Sequence, residues 1–228
     1  MKIAVLQSNY LPWRGYFKII HESDVFCFYD SVKYTKNDWR NRNIIVGPNG
    51  KFWITIPISN QSVNLKINQV QIFENKWRVK HLKSIEQSYS KSPYYKELKS
   101  IIEPIILDQD IRYLSNLNIT LIKEICNYIG ISTSFVSDTD LNYEKSDYKV
   151  PRLINIIKCL NGDHYISGKN GESYLDSQKF LFKQNNIKLS YVNHENYQKY
   201  NTQRAYFQNT SIVDLIANVK REEILNYL

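Results

Sequence analysis

The chain has 228 residues, a net charge of +8 and a hydrophobic content of 43%, enough to bury the core of a globular protein. It has no run of eighteen apolar residues, and only Lys2 precedes its first short apolar run. We therefore expect a cytoplasmic protein with no membrane insertion and no signal peptide, whose charge favours anionic partners such as nucleotides, nucleic acid or lipid.

The first thirty residues predict a strand, a helix and a second strand. Ile3 to Leu6 is the first apolar run, residues 13–23 suit a helix after Pro12, and residues 24–30 form the next apolar run. In such a βαβ unit, ligands bind outside the carboxyl ends of the strands. A polar connection anchored by a tryptophan is the alternative. The candidate ligand contacts at this point are Gln7, Asn9, Tyr10, Trp13 and Asp30.

A cationic loop over residues 31–42 follows, and then a β-hairpin around the Pro-Asn-Gly turn at residues 48–50. Arginine and lysine suit phosphate oxygens, and aromatic rings beside polar groups can stack on sugars or bases. Asp30 could hold a ribose hydroxyl, a substrate amine or a metal-bound water. A solvated basic loop is the alternative. The candidate binding residues here are Tyr34, Lys36, Arg40, Asn41, Arg42 and Asn43, with Trp39 also expected near a ligand.

The rest of the chain alternates between strand and helix patterns. Strands are predicted over 63–73, 134–137, 164–167 and 188–192, and helices over 77–90, 94–107, 111–129, 151–160 and 212–218. This alternation predicts an α/β fold with a mainly parallel sheet. The arrangement is Rossmann-like, with a nucleotidyltransferase-like one as the alternative. We expect a single domain over residues 1–228, with the hairpin and helices of about residues 44–130 inserted as a flank.

A second candidate loop follows the strand at 164–167. It reads Ser-Gly-Lys-Asn-Gly and leads into a helical segment. Two glycines allow close backbone approach, and free N–H groups can cradle an anion, although the spacing is not that of a Walker loop. A β-branched residue at Gly168 is expected to be tolerated poorly because the turn can require a positive φ. A plain chain reversal is an equal alternative. The candidate contacts are Ser167, Gly168, Lys169, Gly171 and Tyr174.

No cysteine or histidine cluster indicates a metal. Cys27, Cys126 and Cys159 are far apart in apolar surroundings, so we predict reduced, buried thiols. No pair of histidines has metal-ligand spacing, and we predict no structural zinc. His194, in a polar loop beside Glu195, could transfer a proton.

The opening residues resemble the WbqC-like family, whose members begin with a strand, His-Gln-Pro-x-Tyr-x-Pro-Trp-x-Gly-Tyr-Phe and then Ser-Asp-x-Phe-x-x-x-Asp. The resemblance runs in order along nearly the whole chain. The matches include Gln7, Tyr10, Pro12, Trp13, Gly15, Tyr16, Phe17, Ser23, Asp24, Phe26, Asp30, Asn41, Arg42, Asn43, Trp77, His81, Tyr165, Ser167, Gly168, Tyr174 and Asp214. Leu6 and Ser8 stand where members carry His and Pro, so no role of that histidine carries over.

The resemblance implies a role in bacterial surface-polysaccharide biosynthesis, such as O-antigen (lipopolysaccharide) or capsule assembly. We expect a transferase that attaches an acyl or aminoacyl group to the amine of a nucleotide-linked amino sugar. Its partners would be that sugar and the acyl donor, with tRNA as one conceivable carrier. The sequence identifies no cofactor and no oligomeric state. The candidate catalytic residues are Asp30, His81 and His194.

Two other classes stay open. The charge and aromatic content permit a tRNA-binding or nucleic-acid-binding protein. A non-catalytic partner of a glycosyltransferase would need no ordered polar site. For His81, packing within a helical region is the alternative to an acid–base or phosphate-binding role.

Overall fold

The chain forms two compact units within residues 1–195 and 197–228, the part that the computed structural model describes. The described residues of the first, the sheet unit, are 1–7, 15–31 and 132–195. The second, the hairpin unit, comprises Ser8–Arg14, Val32–Ile131 and Tyr197–Leu228. The expected insertion at about 44–130 falls within the hairpin unit, and a single domain over 1–228 stays a prediction.

Seven strands and eight α-helices occur in the described residues. The strands are β1 (Lys2–Leu6), β2 (Val25–Phe28), β3 (Arg42–Gly47), β4 (Gly50–Thr55), β5 (Ser134–Ser137), β6 (His164–Gly168) and β7 (Lys188–Val192). The helices are α1 (Arg14–Glu22), α2 (Lys76–Tyr89), α3 (Tyr95–Leu107), α4 (Leu114–Ile129), α5 (Lys149–Cys159), α6 (Glu172–Leu175), α7 (Lys179–Gln184) and α8 (Ile212–Asn218). None of the helices in these ranges is long and apolar enough to cross a membrane.

The sheet unit is built on five strands in the order β5-β2-β1-β6-β7, and every neighbouring pair is parallel. Counted within this unit, the order is 3-2-1-4-5, as in a Rossmann sheet, and it reverses between β1 and β6. The predicted α/β fold with a mainly parallel sheet and a separate hairpin is therefore confirmed.

Burial explains why these short runs form a sheet. The central strand β1 buries Ile3, Ala4 and Val5 almost completely, as expected for a parallel strand covered on both faces. A Cβ added to Gly168 would meet Ile19 of α1 at 3.2 Å, whereas Tyr165 stacks on Phe182 of α7 with 5.7 Å between ring centroids. Because residues 165 and 168 point to opposite faces of β6, α1 and α7 lie on opposite sides of the sheet.

The hairpin unit contains the antiparallel pair β3 and β4, which turns through Pro48 and Asn49 with Gly47 opposite Gly50. Gly50 has a φ of +101°, a conformation that glycine adopts without a steric penalty. Helix α3 packs against α2, α4 and α8. Helix α4 ends as predicted at Gly130, whose φ of +87° and N–H bond to the Cys126 carbonyl, at 2.9 Å, close the last turn.

Two expectations about the fold were wrong, and one helix was missed. The predicted strand over 63–73 is replaced by 3₁₀ turns, including Ile67–Gln69, and isolated bridges such as Ile58 with Ile72. Ile67 and Val70 are both buried and are three residues apart, which suits a helical turn better than a strand. Helix α7 was not predicted. All three cysteines are free, but Cys159 is exposed because it ends α5.

Candidate functional site

The carboxyl ends of β1 and β6 mark the point where the strand order of the sheet unit reverses. Gln7 follows β1, Gly168 ends β6, and residues after β7 lead to His194. Open parallel sheets bind ligands in the crevice at such a point, because the loops diverge there to opposite faces. Gln7, Gly168 and His194 are half-buried, so their groups lie at the protein surface rather than within the core.

His194 lies directly against Gly168. A Cβ built on Gly168 would be 3.7 Å from the His194 Nε2 atom. Burial lowers the pKa of His194 below its usual value, and the positive charges of Lys18 and Lys169 lower it further. The imidazole is therefore neutral at pH 7, and an anion that offset the two lysine charges would raise its pKa. Lys169 is exposed and pairs with Glu195.

The glycines of the Ser167–Gly171 loop serve close packing. Gly168 and Gly171 have φ values of −73° and −76°, so the expected positive φ at Gly168 is wrong. A Cβ on Gly171 would lie 2.4 Å from the Ser167 Oγ atom and 3.0 Å from Leu175. The loop is therefore restricted by space, and residues 169–171 form one 3₁₀ turn before the short helix α6.

Ser167 and Tyr174 belong to the face of the sheet that Tyr165 occupies. The Ser167 hydroxyl donates to the Gly168 carbonyl at 3.3 Å, and burial raises the pKa of Tyr165. Tyr174 is half-buried, and the Lys149 ammonium lies 3.5 Å from the centroid of its ring. Lys149 is the first residue of α5, so the start of this helix supplies a cation–π contact to the Tyr174 ring.

Asp30 is held at the end of β2 by a second carboxylate. Asp138, fully buried after β5, accepts hydrogen bonds from the backbone N–H groups of Asp30 at 3.1 Å and Ser31 at 3.2 Å. It also accepts bonds from the hydroxyls of Ser31 and Tyr143. Asp138 therefore fixes the loop that carries Asp30. Asp30 itself is 3% exposed.

In the hairpin unit, the predicted ligand contact Tyr10 and the catalytic candidate His81 form a buried pair. The Tyr10 hydroxyl lies 3.0 Å from His81 Nδ1, and His81 Nε2 lies 3.2 Å from the Thr55 carbonyl oxygen. Since a carbonyl can only accept, Nε2 carries the proton and Nδ1 accepts from Tyr10. Burial lowers the pKa of His81 to about 4. These surroundings favour a structural role for both side chains.

Asn43, also expected at a ligand, holds the loop before α1. Its Nδ2 atom donates to the carbonyls of Tyr10 at 3.0 Å and Leu11 at 2.8 Å, and Ser211 Oγ donates to the same Leu11 carbonyl at 2.7 Å. Leu11 has a φ of +42°, which is costly for a non-glycine residue and needs such support. Asn43 thus stabilises a strained backbone.

Asn41 and Tyr34 are likewise buried and bonded. The Tyr34 hydroxyl donates to Asn41 Oδ1 at 3.0 Å, and Asn41 Nδ2 donates to the Ile56 carbonyl at 2.9 Å. Burial raises the pKa of Tyr34 to about 12. Both of these bonds lie inside the hairpin unit, and through them the pair connects the cationic loop to the residue that follows β4.

The arginines of the cationic loop lie nearer the surface. Arg40 Nη1 donates to Asn9 Oδ1 at 2.9 Å, and its Nη2 lies 3.6 Å from an Asp38 carboxylate oxygen. The Arg42 guanidinium lies 4.2 Å from the ring centroid of Trp53. Lys36 is exposed. The structure thus brings Asn9 and Arg40 together as a candidate pair.

Trp13 and its neighbour Arg14 contact the C-terminal segment of the hairpin unit. The Trp13 ring packs edge-on against Tyr197, with centroids 5.9 Å apart. Arg14 is 3% exposed, lies 4.1 Å from the Tyr197 ring centroid and donates to the carbonyls of Gln198 and Tyr227. Trp13 therefore takes part in a packed aromatic cluster around a buried arginine.

The candidates therefore fall into two groups, one in each unit. Those of the sheet unit are Gln7, Asp30, Ser167, Gly168, Lys169, Gly171, Tyr174 and His194; those of the hairpin unit are Asn9, Tyr10, Trp13, Tyr34, Lys36, Arg40, Asn41, Arg42, Asn43 and His81. Sequence reasoning missed Lys18, Asp138, Arg14 and Trp53. Only Trp53 carried a usable signal, as a large aromatic residue on a predicted hairpin strand.

Comparison with known sequences assigns the chain to a family. The sequence profile of the WbqC-like protein family matches residues 7–226, and the chain belongs to that family. It is 37% identical over 223 residues to a protein of Mycobacterium tuberculosis (strain ATCC 25618 / H37Rv) named "Uncharacterized protein Rv1507c", covering 97% of this chain and 95% of the relative. No solved structure gives a significant match.

Proposed function

We propose that this protein is a cytoplasmic transferase of bacterial surface-polysaccharide biosynthesis. It would attach an acyl or aminoacyl group to the amino group of a nucleotide-linked amino sugar. Membership of the WbqC-like family supports the biosynthetic setting. The observation that carries the proposal is the reversal of strand order between β1 and β6, with Gly168, Lys169 and His194 beside it.

The binding step would use the carboxyl edge of the sheet unit. Lys18 and Lys169 both act electrostatically on His194. Each also pairs with a carboxylate, Glu22 and Glu195 respectively, and the diphosphate of a nucleotide sugar would compete with those carboxylates for the two cations. Glycine at position 168 lets Ile19 and His194 lie against the loop backbone, which places the His194 ring at this edge. Gln7, at the end of β1, would supply an amide donor and acceptor for sugar hydroxyls.

The chemical step would be direct acyl transfer. The amine nitrogen forms a bond to the carbonyl carbon of the donor, and the bond from that carbon to the donor's sulfur or oxygen breaks. The amine passes a proton to the neutral ring of His194, which returns it to the departing sulfur or oxygen. A residue that is neutral at pH 7 suits this role, and no covalent enzyme intermediate is required.

The proposal is tested by incubating the protein with uridine- or thymidine-diphosphate-linked amino sugars and either acyl-coenzyme A or aminoacyl-tRNA. Mass spectrometry of the sugar should show the added acyl mass. His194→Gln should lower turnover by about 100-fold, the lower range for losing a positioned proton acceptor. His164→Gln is the matched control, because His164 lies at the amino end of β6, where it contacts Ser190.

Three results would count against the proposal. Absence of binding to every nucleotide-linked amino sugar would remove its basis. Equal losses of turnover in His194→Gln and His164→Gln would show that the carboxyl edge has no special role in catalysis. Binding without turnover with any donor would instead favour a non-catalytic partner of a glycosyltransferase.

A further inference from the structure

Charge is concentrated in one stretch of the hairpin unit. Residues 32–73 contain six lysines and arginines and one acidic residue, Asp38, a net charge of +5 out of +8 for the whole chain. The six are Lys33, Lys36, Arg40, Arg42, Lys51 and Lys66. This stretch contains the hairpin, so the protein's excess positive charge is carried largely by one part of one unit.

One face of the hairpin is partly exposed at the end away from the turn, although Val46, nearer the turn on the same face, is buried. Along β3 and β4, Asn43, Ile45 and Ile54 are buried, whereas Trp53 is 44% exposed. Arg42 pairs with Thr55, and Ile44 with Trp53, so these four side chains share the opposite face by the alternation of a strand. Trp53 therefore points away from the buried side of the hairpin, and its large ring does not pack in the core.

A second exposed tryptophan completes this surface. Trp39 is 42% exposed, and its ring centroid lies 5.2 Å from that of Trp53, with 39° between the planes. The Arg42 guanidinium lies 4.2 Å from the Trp53 centroid. Within the described residues, Arg42 Nε has no hydrogen-bond partner, so contact with the ring is what positions the guanidinium near Trp53.

The surface is held in place by backbone bonds. The Trp39 carbonyl accepts the Tyr10 N–H at 3.0 Å, and the Trp39 N–H donates to Asp38 Oδ1 at 2.7 Å. Trp53 is part of a paired strand. Both rings therefore project from fixed backbone, and little conformational entropy is lost when a flat ligand stacks on them.

We propose that Trp39, Trp53 and Arg42 form a binding surface for single-stranded nucleic acid. Unpaired bases stack on the exposed indole rings, and the surrounding cations bind the phosphates, a combination that characterises single-strand binding surfaces. A neutral glycan could use the rings but would gain nothing from the Arg42 guanidinium or from the net positive charge of residues 32–73. A duplex would use the charge but keeps its bases stacked internally. The inference does not depend on acyl transfer.

The experiment is a titration of the whole protein with an unstructured single-stranded RNA of about twelve nucleotides, followed by tryptophan fluorescence and by anisotropy of a labelled strand. Trp53→Ala and Trp39→Ala should each weaken binding by about 5- to 150-fold, the range for losing one base stack. Trp53→Phe should restore most of the affinity. Phe180→Ala, an exposed ring in the sheet unit, is the matched control and should change nothing.

Salt dependence separates the contribution of charge. Affinity should fall with rising salt, and Arg42→Ala should reduce the slope of log affinity against log salt by about 0.7, the value for one phosphate contact on a single strand. Circular dichroism checks that each variant is folded. Equal affinity for a duplex of the same sequence, tighter binding of a neutral hexasaccharide, or unchanged binding in the folded tryptophan variants would each overturn the proposal.

Discussion

Two histidines, one in each unit, show how similar residues serve different purposes. His81 of the hairpin unit is 4% exposed and bonded through both ring nitrogens, and burial lowers its pKa to about 4. His194 of the sheet unit is half-buried beside Gly168, and burial and two lysines lower its pKa. The first holds a tyrosine in the interior, whereas the second lies nearer the surface, close to two lysine charges.

The same contrast extends to the other polar candidates. Asn41 and Asn43 are buried, and their side-chain amides form hydrogen bonds with backbone carbonyls and a tyrosine hydroxyl. Lys169 is exposed, and the loop around it has a glycine on either side. Substitutions in the first group should therefore affect stability, and those in the second should affect binding.

The largest effect is expected from Asn43→Ala. It leaves the carbonyls of Tyr10 and Leu11 without the Asn43 amide in a buried loop, so the free energy of unfolding should fall by about 2–4 kcal/mol. Denaturant unfolding measures this. Asn49→Ala, in the exposed hairpin turn, is the control and should stay within about 0.5 kcal/mol. Equal effects of the two would show that Asn43 does not support the strained loop.

A slightly smaller effect is expected from acidification. Because the pKa of His81 is lowered to about 4 in the folded protein, the unfolded chain binds its proton first as the pH falls. This residue's contribution is complete above pH 6.5 and is lost between pH 6.5 and 4, a decrease of about 3 kcal/mol. Unfolding experiments across this range should show a shallower pH dependence in His81→Gln; an unchanged slope would contradict the buried neutral pair.

Gly168→Val should weaken binding of a nucleotide-linked amino sugar by about 10- to 100-fold, since extra atoms at a packed position displace Ile19 and His194. Isothermal titration calorimetry measures this. Asn170→Ala, two residues away and exposed, should bind nearly as well as the parent. If the valine variant keeps full affinity while folded, the loop is an ordinary chain reversal.

Lys169→Ala should have the smallest effect, a two- to fivefold loss of affinity, because an exposed charge contributes less than about 1 kcal/mol. The same calorimetric titration at low and high salt checks it, and the difference between parent and variant should shrink at high salt. A loss well above tenfold would mean that the side chain is positioned tightly by the ligand.

Local sequence signals predicted much of the fold. The strands over 134–137 and 188–192 and the helix over 212–218 have the predicted bounds, because apolar periodicity and bounding polar residues act over a few positions. Strand pairing depends on segments far apart in sequence. Residues 63–73 have a strand-like pattern, but no neighbouring strand pairs with them continuously. The candidate site was harder: burial, which decides the role of His81 and Asn43, depends on segments far apart in sequence.

The two loops show the same limit in detail. Gly168 was expected to be needed for a positive φ. Its φ is −73°, and a side chain is instead disfavoured there by the nearby Ile19 and His194. Trp53 could be located on a hairpin strand from sequence, but its contact with Trp39 and Arg42 depends on the loop between residues 31 and 42. Steric neighbours of this kind become visible only in three dimensions.

The most direct test of the central claim is an NMR titration of the histidine ring protons with and without a uridine-diphosphate-linked amino sugar. If the diphosphate binds at the carboxyl edge of the sheet unit, it offsets the charges of Lys18 and Lys169. The pKa of His194 should then rise, while that of His81 stays at about 4. Saturating ligand that leaves the pKa of His194 unchanged would contradict the account.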